Sequence, residues 1–191
     1  MSQHASTKIN GTQRRLIEKA YTLFQTQGYE NVDVCDIAHA ANDAPGTFYY
    51  YFRSKQDILC RYFSLNDQYL GQELQKLSDL SENICVGLTN FFARVLGELI
   101  QKDGKQFTLD RMQRLQLKSP LSSQLYRTLC TVVEHAQQNG ELRTTYSPDR
   151  IVSQLLIVFR GATYEWCTES DTVSPHHLYH ESISLALKAF Q

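Results

Sequence analysis

The 191-residue sequence has no charge excess: 19 Lys and Arg stand against 20 Asp and Glu, a formal net charge of −1. Bulk attraction to a polyanion is therefore excluded, and any phosphate binding has to come from local placement of donors. Cysteine is sparse and unpaired. Cys35, Cys60, Cys85, Cys130 and Cys167 form an odd, scattered set without C-x-x-C spacing. That pattern argues against a zinc site or disulfide framework and for a reducing compartment, each cysteine reading as a small buried hydrophobe. No segment alternates apolar and polar residues between turn signals, so strands are not expected. No run approaches the roughly 18–20 apolar residues of a membrane span. The polar first residues lack the apolar centre of a signal peptide. A cytoplasmic protein without a membrane partner is the expectation. There is no Gly-rich phosphate loop, no Ser/His/Asp set and no paired-carboxylate signature, so no enzyme and no cofactor is expected. His176 and His180 are four apart on a polar helix start, but further ligands and a supporting shell are missing, so no metal is expected.

What is present is helical punctuation. Only four prolines occur, and each marks a helix start: Ala44-Pro45, Ser119-Pro120, Ser147-Pro148 and Ser174-Pro175. Proline at the first helical position gives up an N–H that has no partner there, and the three serines supply caps. The chain reads as all-α with about nine helices. After a polar, disordered arm (1–10), Leu16, Ile17, Ala20, Tyr21, Leu23 and Phe24 follow helical spacing over 12–27, stopped by Gly28. Asp33 caps a second short helix, and Asp36 favours its positive end. Asn42 tolerates the left-handed conformation that ends it. Pro45 opens a third helix, in which Phe48 and Phe52 share the inward face. Ser54 and Asp57 cap a fourth helix from Lys55. Further helices are expected at 55–78, 82–103, 106–117, 120–139, 148–169 and 175–190. Two short helices joined by a tight turn, about 33–52, are a helix-turn-helix, whose second helix can enter a DNA major groove.

Gly28 to Leu59 resembles the N-terminal domain of the TetR (tetracycline-repressor-like) regulators. The resemblance is carried by Gly28-Tyr29, Asp36-Ile37-Ala38, Gly46-Thr47-Phe48-Tyr49, Phe52 and Ser54-Lys55. It implies a DNA-binding domain at 11–58 and a helical effector-binding and dimerisation domain at 59–191. Three positions in the turn depart from the family pattern: Asn42 stands for glycine, Asp43 for an apolar residue and Ala44 for serine. Cys35 also replaces a basic residue often found on the second helix.

By this resemblance, Thr47, Tyr49, Tyr50 and Tyr51 face DNA and Lys55 meets phosphate. The chemistry fits, because hydroxyls donate to phosphate oxygens, Lys55 neutralises one, and Pro45-Gly46 leaves bare backbone at the helix start. Four consecutive aromatics cannot all face inward when successive residues are 100° apart. No Arg, Asn or Gln lies in the third helix to make bidentate base contacts, so shape readout should contribute much of the specificity.

The resemblance also implies an effector cavity, with Phe91, Phe92, Phe107, Met112, Leu115, Tyr126 and Trp166 as candidate lining. Arg111 and Arg114 are candidates to meet an acidic ligand. The last two helices should form a twofold four-helix dimer interface. Its candidates are Ile151, Leu155, Leu156, Val158, Phe159 and Ala162 with Leu178, Ile183, Leu185, Leu187 and Phe190, Gly161 allowing close approach; packing within one chain is the alternative. The expectation is a homodimeric repressor that a small-molecule effector releases from a palindromic double-stranded operator. The rivals are a constitutive DNA-binding protein without ligand, an activator, and a small all-α enzyme retaining the motif as scaffold.

Overall fold

The computed structural model describes residues 10–80, 83–114, 124–169 and 174–191, among which there are nine helices and no strand. The chain forms two compact units, residues 1–65 and 66–191.

The first unit begins with α1 (Gly11–Gln27), whose N-cap is Asn10; the remainder of the expected arm, 1–9, lies outside the described residues. Leu16, Ile17, Ala20 and Phe24 are its buried stripe, and Gly28 ends it at φ 82°. α2 (Val34–Ala40) starts in a capping box, in which Asp33 accepts the Asp36 N–H and the Asp36 carboxylate accepts the Asp33 N–H. Asn42 turns the chain at φ 55°, the single positive-φ residue other than glycine among the described residues. α3 (Pro45–Tyr51) follows with proline at its start. Ile37, Ala38, Ala41, Phe48 and Phe52 close the small core against α1. α4 (Lys55–Leu80) is capped by Ser54, whose hydroxyl accepts the Asp57 N–H, while Asp57 accepts that of Arg53.

The second unit continues α4 and adds α5 (Ile84–Asp103), α6 (Lys105–Arg114), α7 (Gln124–Gln138), α8 (Pro148–Thr168) and α9 (Pro175–Lys188). Asn83 caps α5 by accepting the Val86 N–H. Within α5 the stretch Phe91–Leu96 is π-helical, and it buries Phe91, Phe92, Ala93 and Leu96. A π turn holds a surplus residue, so it shifts the phase of the inward face along the helix. A methyl on Gly97 would stand 3.3 Å from the Tyr179 ring, so glycine there lets α9 approach. One apolar cluster joins Leu88, Phe91 and Phe92 to Leu129, Ile151 and Ile183; a second joins Ile100, Ala162, Trp166 and Tyr179.

Several expectations need amendment. By length and composition α5 is apolar enough to cross a membrane although no unbroken apolar run marks it, and most of it is buried in the core. Pro148 and Pro175 start helices as expected, but the Ser147 and Ser174 side chains make no cap hydrogen bond. The expected start at Ser119-Pro120 lies outside the described residues, as does Leu115.

Candidate nucleic-acid interface

The departures from the usual turn pattern compensate one another. The Arg15 guanidinium reaches from α1 to the turn, donating to the Ala41 carbonyl at 2.9 Å and to the Asp43 carboxylate at 2.8 Å. Asp43 therefore serves as a clamp point between α1 and the corner, where an apolar residue would have packed. Asn42 takes the conformation glycine usually supplies, and Ala44 begins α3 without a side-chain cap.

α3 separates its aromatics by face. Phe48 is fully buried, while Tyr49 is 61% and Tyr50 81% exposed. Exposed phenols of this size, side by side on a seven-residue helix, are not explained by this chain's own core. Pro45 and Gly46 are exposed and Thr47 is half-buried. A methyl built on Gly46 would meet nothing within 4 Å, so no internal contact of the protein demands glycine at this position. Tyr51 is half-buried, and its phenol oxygen accepts a hydrogen bond from Asn10.

Lys55 has partners within the chain besides its expected role. Its ammonium donates to the carbonyls of Tyr29 at 2.8 Å and Val32 at 2.6 Å, and stands 4.7 Å from the Tyr29 ring centroid. Two of its three donors are thus spent on the α1–α2 connection. Lys55 ties the start of α4 to the loop before the helix-turn-helix, and a phosphate is at most its third partner.

The sensor candidates do not gather around one space. Phe91, Phe92 and Tyr126 lie in the first apolar cluster and Trp166 in the second. Phe107 is buried and Met112 half-buried. The Tyr126 hydroxyl is 3.4 Å from both Ser153 Oγ and the Asp149 carbonyl. Arg111 stands 3.4 Å from the Asp103 carboxylate, which is itself fully buried, so its charge already has an internal partner. Burial pushes the Tyr179 phenol up to about 12, against the weaker opposing effect of its hydrogen bond to Thr163. An open cleft of about 310 Å³ lies between α5 and α9, lined by Asn83, Thr89, Asn90, His180, Ser184 and Lys188 among others; none of the lining residues expected from the sequence borders it. Among the described residues no three His, Cys, Asp or Glu side chains converge as metal ligands.

The dimer candidates require a correction. Ile151, Leu155, Ile183 and Leu187 are buried inside this chain, and Ala162 nearly so. Val158, Phe159 and Leu178 pack partly on the same clusters, Phe159 lying 5.4 Å from Phe92 and 4.8 Å from Tyr179. These faces hold α8 and α9 together within one protomer. The outward apolar residues are Ile157 and Tyr164, which flank exposed Gly161 on α8, and Leu185, 59% exposed on α9; Gly161 and Leu185 were among the sequence candidates, Ile157 and Tyr164 were not. Positions 157, 161 and 164 make one stripe.

Residues 16–62 match the model of the tetR family of bacterial regulatory proteins. The chain is similar to the HTH-type transcriptional regulator TcmR of Streptomyces glaucescens, 29% identical over 86% of this chain and 77% of that one. It is 27% identical to the HTH-type transcriptional repressor DhaR of Mycobacterium sp. strain GP1, over 78% and 79% of the two chains. Among solved structures, the FadR repressor of Thermus thermophilus, in complex with lauroyl-CoA, superposes with a TM-score of 0.73 at 21% identity, covering 94% of this chain and 95% of that one. The SmeT repressor of Stenotrophomonas maltophilia superposes with a TM-score of 0.74 at 18% identity, covering 95% and 91%.

Proposed function

We propose that this chain, a member of the TetR family of bacterial regulatory proteins, is a homodimeric transcriptional repressor that a small-molecule effector releases from a palindromic operator. The observation that carries the DNA-facing assignment is α3, where exposed Tyr49 and Tyr50 flank a helix start kept bare at Gly46. In this reading residues 11–58 bind DNA and 59–191 sense and dimerise. Thr47, Tyr49, Tyr50 and Tyr51 donate to phosphates, Thr47 also reaching a base edge, and the backbone at Pro45-Gly46 abuts the duplex. Lys55 positions α3 through the preceding loop and keeps one donor for phosphate. The second protomer docks on Ile157, Gly161, Tyr164 and Leu185, apolar residues that α8 and α9 leave uncovered in the single chain. The protein works in the cytoplasm, where DNA and reduced cysteines are found.

The FadR and SmeT structures include complexes with lauroyl-CoA and triclosan, each of which carries an apolar part. They support a small-molecule effector with an apolar part for this chain, bound by the 59–191 domain. Such an effector must bind the DNA-incompetent state more tightly, and by linkage the operator then weakens the effector equally. α4 is the natural carrier, since it begins at Lys55 and ends at Leu80. The test is selection of duplexes from a random-sequence pool by the full chain, followed by footprinting. A palindrome with half-sites about 34–36 Å apart is expected, and Tyr49→Phe should weaken its binding. Failure to enrich any duplex would refute the proposal.

A further inference from the structure

Asn10 has two jobs, and the first fixes the second. As N-cap of α1, its Oδ1 accepts the Gln13 N–H at 2.8 Å, while the Gln13 side-chain oxygen accepts the Asn10 N–H at 3.3 Å. Only the oxygen of a side-chain amide can accept that N–H, so the cap determines which way the amide faces. Its NH₂ end is thereby turned toward Tyr51, 41 residues later, and donates to the phenol oxygen at 3.0 Å. A phenol has a single proton, and an NH₂ group cannot accept it. The Tyr51 oxygen is the acceptor in this bond, and its own O–H must be directed elsewhere. The Tyr51 ring has little freedom to undo this, since it stands edge-on to Tyr50 at 4.8 Å and against Phe52 at 6.5 Å.

We propose that Asn10 is a positioning residue that makes Tyr51 an obligate hydrogen-bond donor to a DNA phosphate. A phosphate oxygen only accepts, so a phenol whose acceptor role is already occupied from behind meets it in the required sense. The chain Gln13–Asn10–Tyr51 then aligns three dipoles toward the anion, each bond strengthening the next. The inference rests on the reading of α3 as the DNA-facing helix, and it extends the interface to a residue outside the helix-turn-helix.

The test is a double-mutant cycle on the full chain, with a duplex that the wild type has selected from a random-sequence pool as the fluorescent probe. Asn10→Asp keeps the cap, because aspartate caps about as well as asparagine, but it puts an acceptor where the NH₂ stood. Tyr51 then donates inward and is lost to the phosphate. The substitution also adds a negative charge, and its effect in the Tyr51→Phe background measures that charge alone. Tyr51→Phe should weaken binding about tenfold per half-site, the value of one hydrogen bond to a charged group. N10D should weaken binding by about tenfold more per half-site in the otherwise wild-type chain than in the Tyr51→Phe background. Thermal unfolding of N10D should match wild type, which confirms the cap. An N10D effect equal in both backgrounds, within about twofold, overturns the inference while leaving the DNA-facing reading intact. Wild-type affinity in Y51F instead overturns the assignment of Tyr51 to DNA, and the inference with it.

Discussion

Replacing Lys55 by methionine separates two roles that a lysine at the start of α4 could have. Methionine keeps the apolar stem and removes the ammonium, together with its bonds to the Tyr29 and Val32 carbonyls and its contact with the Tyr29 ring. At a half-buried site each charge-assisted bond contributes about 1 kcal/mol net, and the ring contact about 0.5 kcal/mol. The expected loss is thus about 2.5 kcal/mol, borne by residues 1–65. For a unit of this size that corresponds to a fall of roughly 10–20 °C in unfolding midpoint. The chain provides its own control, because its single tryptophan, Trp166, belongs to residues 66–191. Far-UV circular dichroism should show an early transition in Lys55→Met, while tryptophan fluorescence keeps its midpoint. Unchanged unfolding together with weakened DNA binding would refute the reasoning, for the ammonium would then be spent on phosphate and the loop carbonyls would not need it.

Three further outcomes are expected. Gly46→Ala meets no atom within 4 Å and replaces a helical glycine, so stability should rise by about 0.5–1 kcal/mol; duplex affinity should nevertheless fall, and unchanged affinity would place Gly46 away from DNA. Toward a disulfide reagent at pH 8, exposed Cys35 and Cys60 should react first. Burial and then the neighbouring Asp149 carboxylate push the Cys130 thiol up to about 11, so it stays protonated at pH 8 and should gain reactivity only as pH approaches that value; equal rates for all five would contradict this. Ile157→Glu or Leu185→Glu should yield monomers in sedimentation velocity without lowering unfolding temperature, since both side chains are exposed in the single chain. A persisting dimer would locate the interface elsewhere.

Signals within a few residues of one another were readable in the sequence. The Asp33 and Ser54 caps, Pro45 at the start of α3, the left-handed Asn42 and the inward pair Phe48 and Phe52 all stand as the local pattern implies. The missed contacts are those between distant residues. Arg15 and Asp43 are 28 positions apart, Lys55 and the Val32 carbonyl 23, and nothing in spacing or propensity joins them. Asn10 carried a local signal, a cap residue followed three places later by glutamine, which its placement in a disordered arm overlooked. The faces of α8 and α9 failed for another reason. Both helices are apolar over so much of their circumference that periodicity finds a stripe without saying whose core it enters. The π stretch of α5 has no sequence signature at all, since one surplus residue leaves the composition unchanged.

The charge-free character of α3 has a consequence for how the regulator behaves in a living cell. From Pro45 to Tyr51 there is no Lys, Arg, His, Asp or Glu. A hydroxyl or a backbone amide that grips a phosphate leaves the cations condensed around the duplex in place, whereas a lysine or arginine expels them. The logarithm of affinity should therefore fall only gently with the logarithm of salt, at a slope set by flanking cations such as exposed Arg14 and Arg53. An osmotic shock that would strip a lysine-rich repressor from its site would leave this one seated. Occupancy would then follow the chemical signal instead of the ionic weather of the cytoplasm.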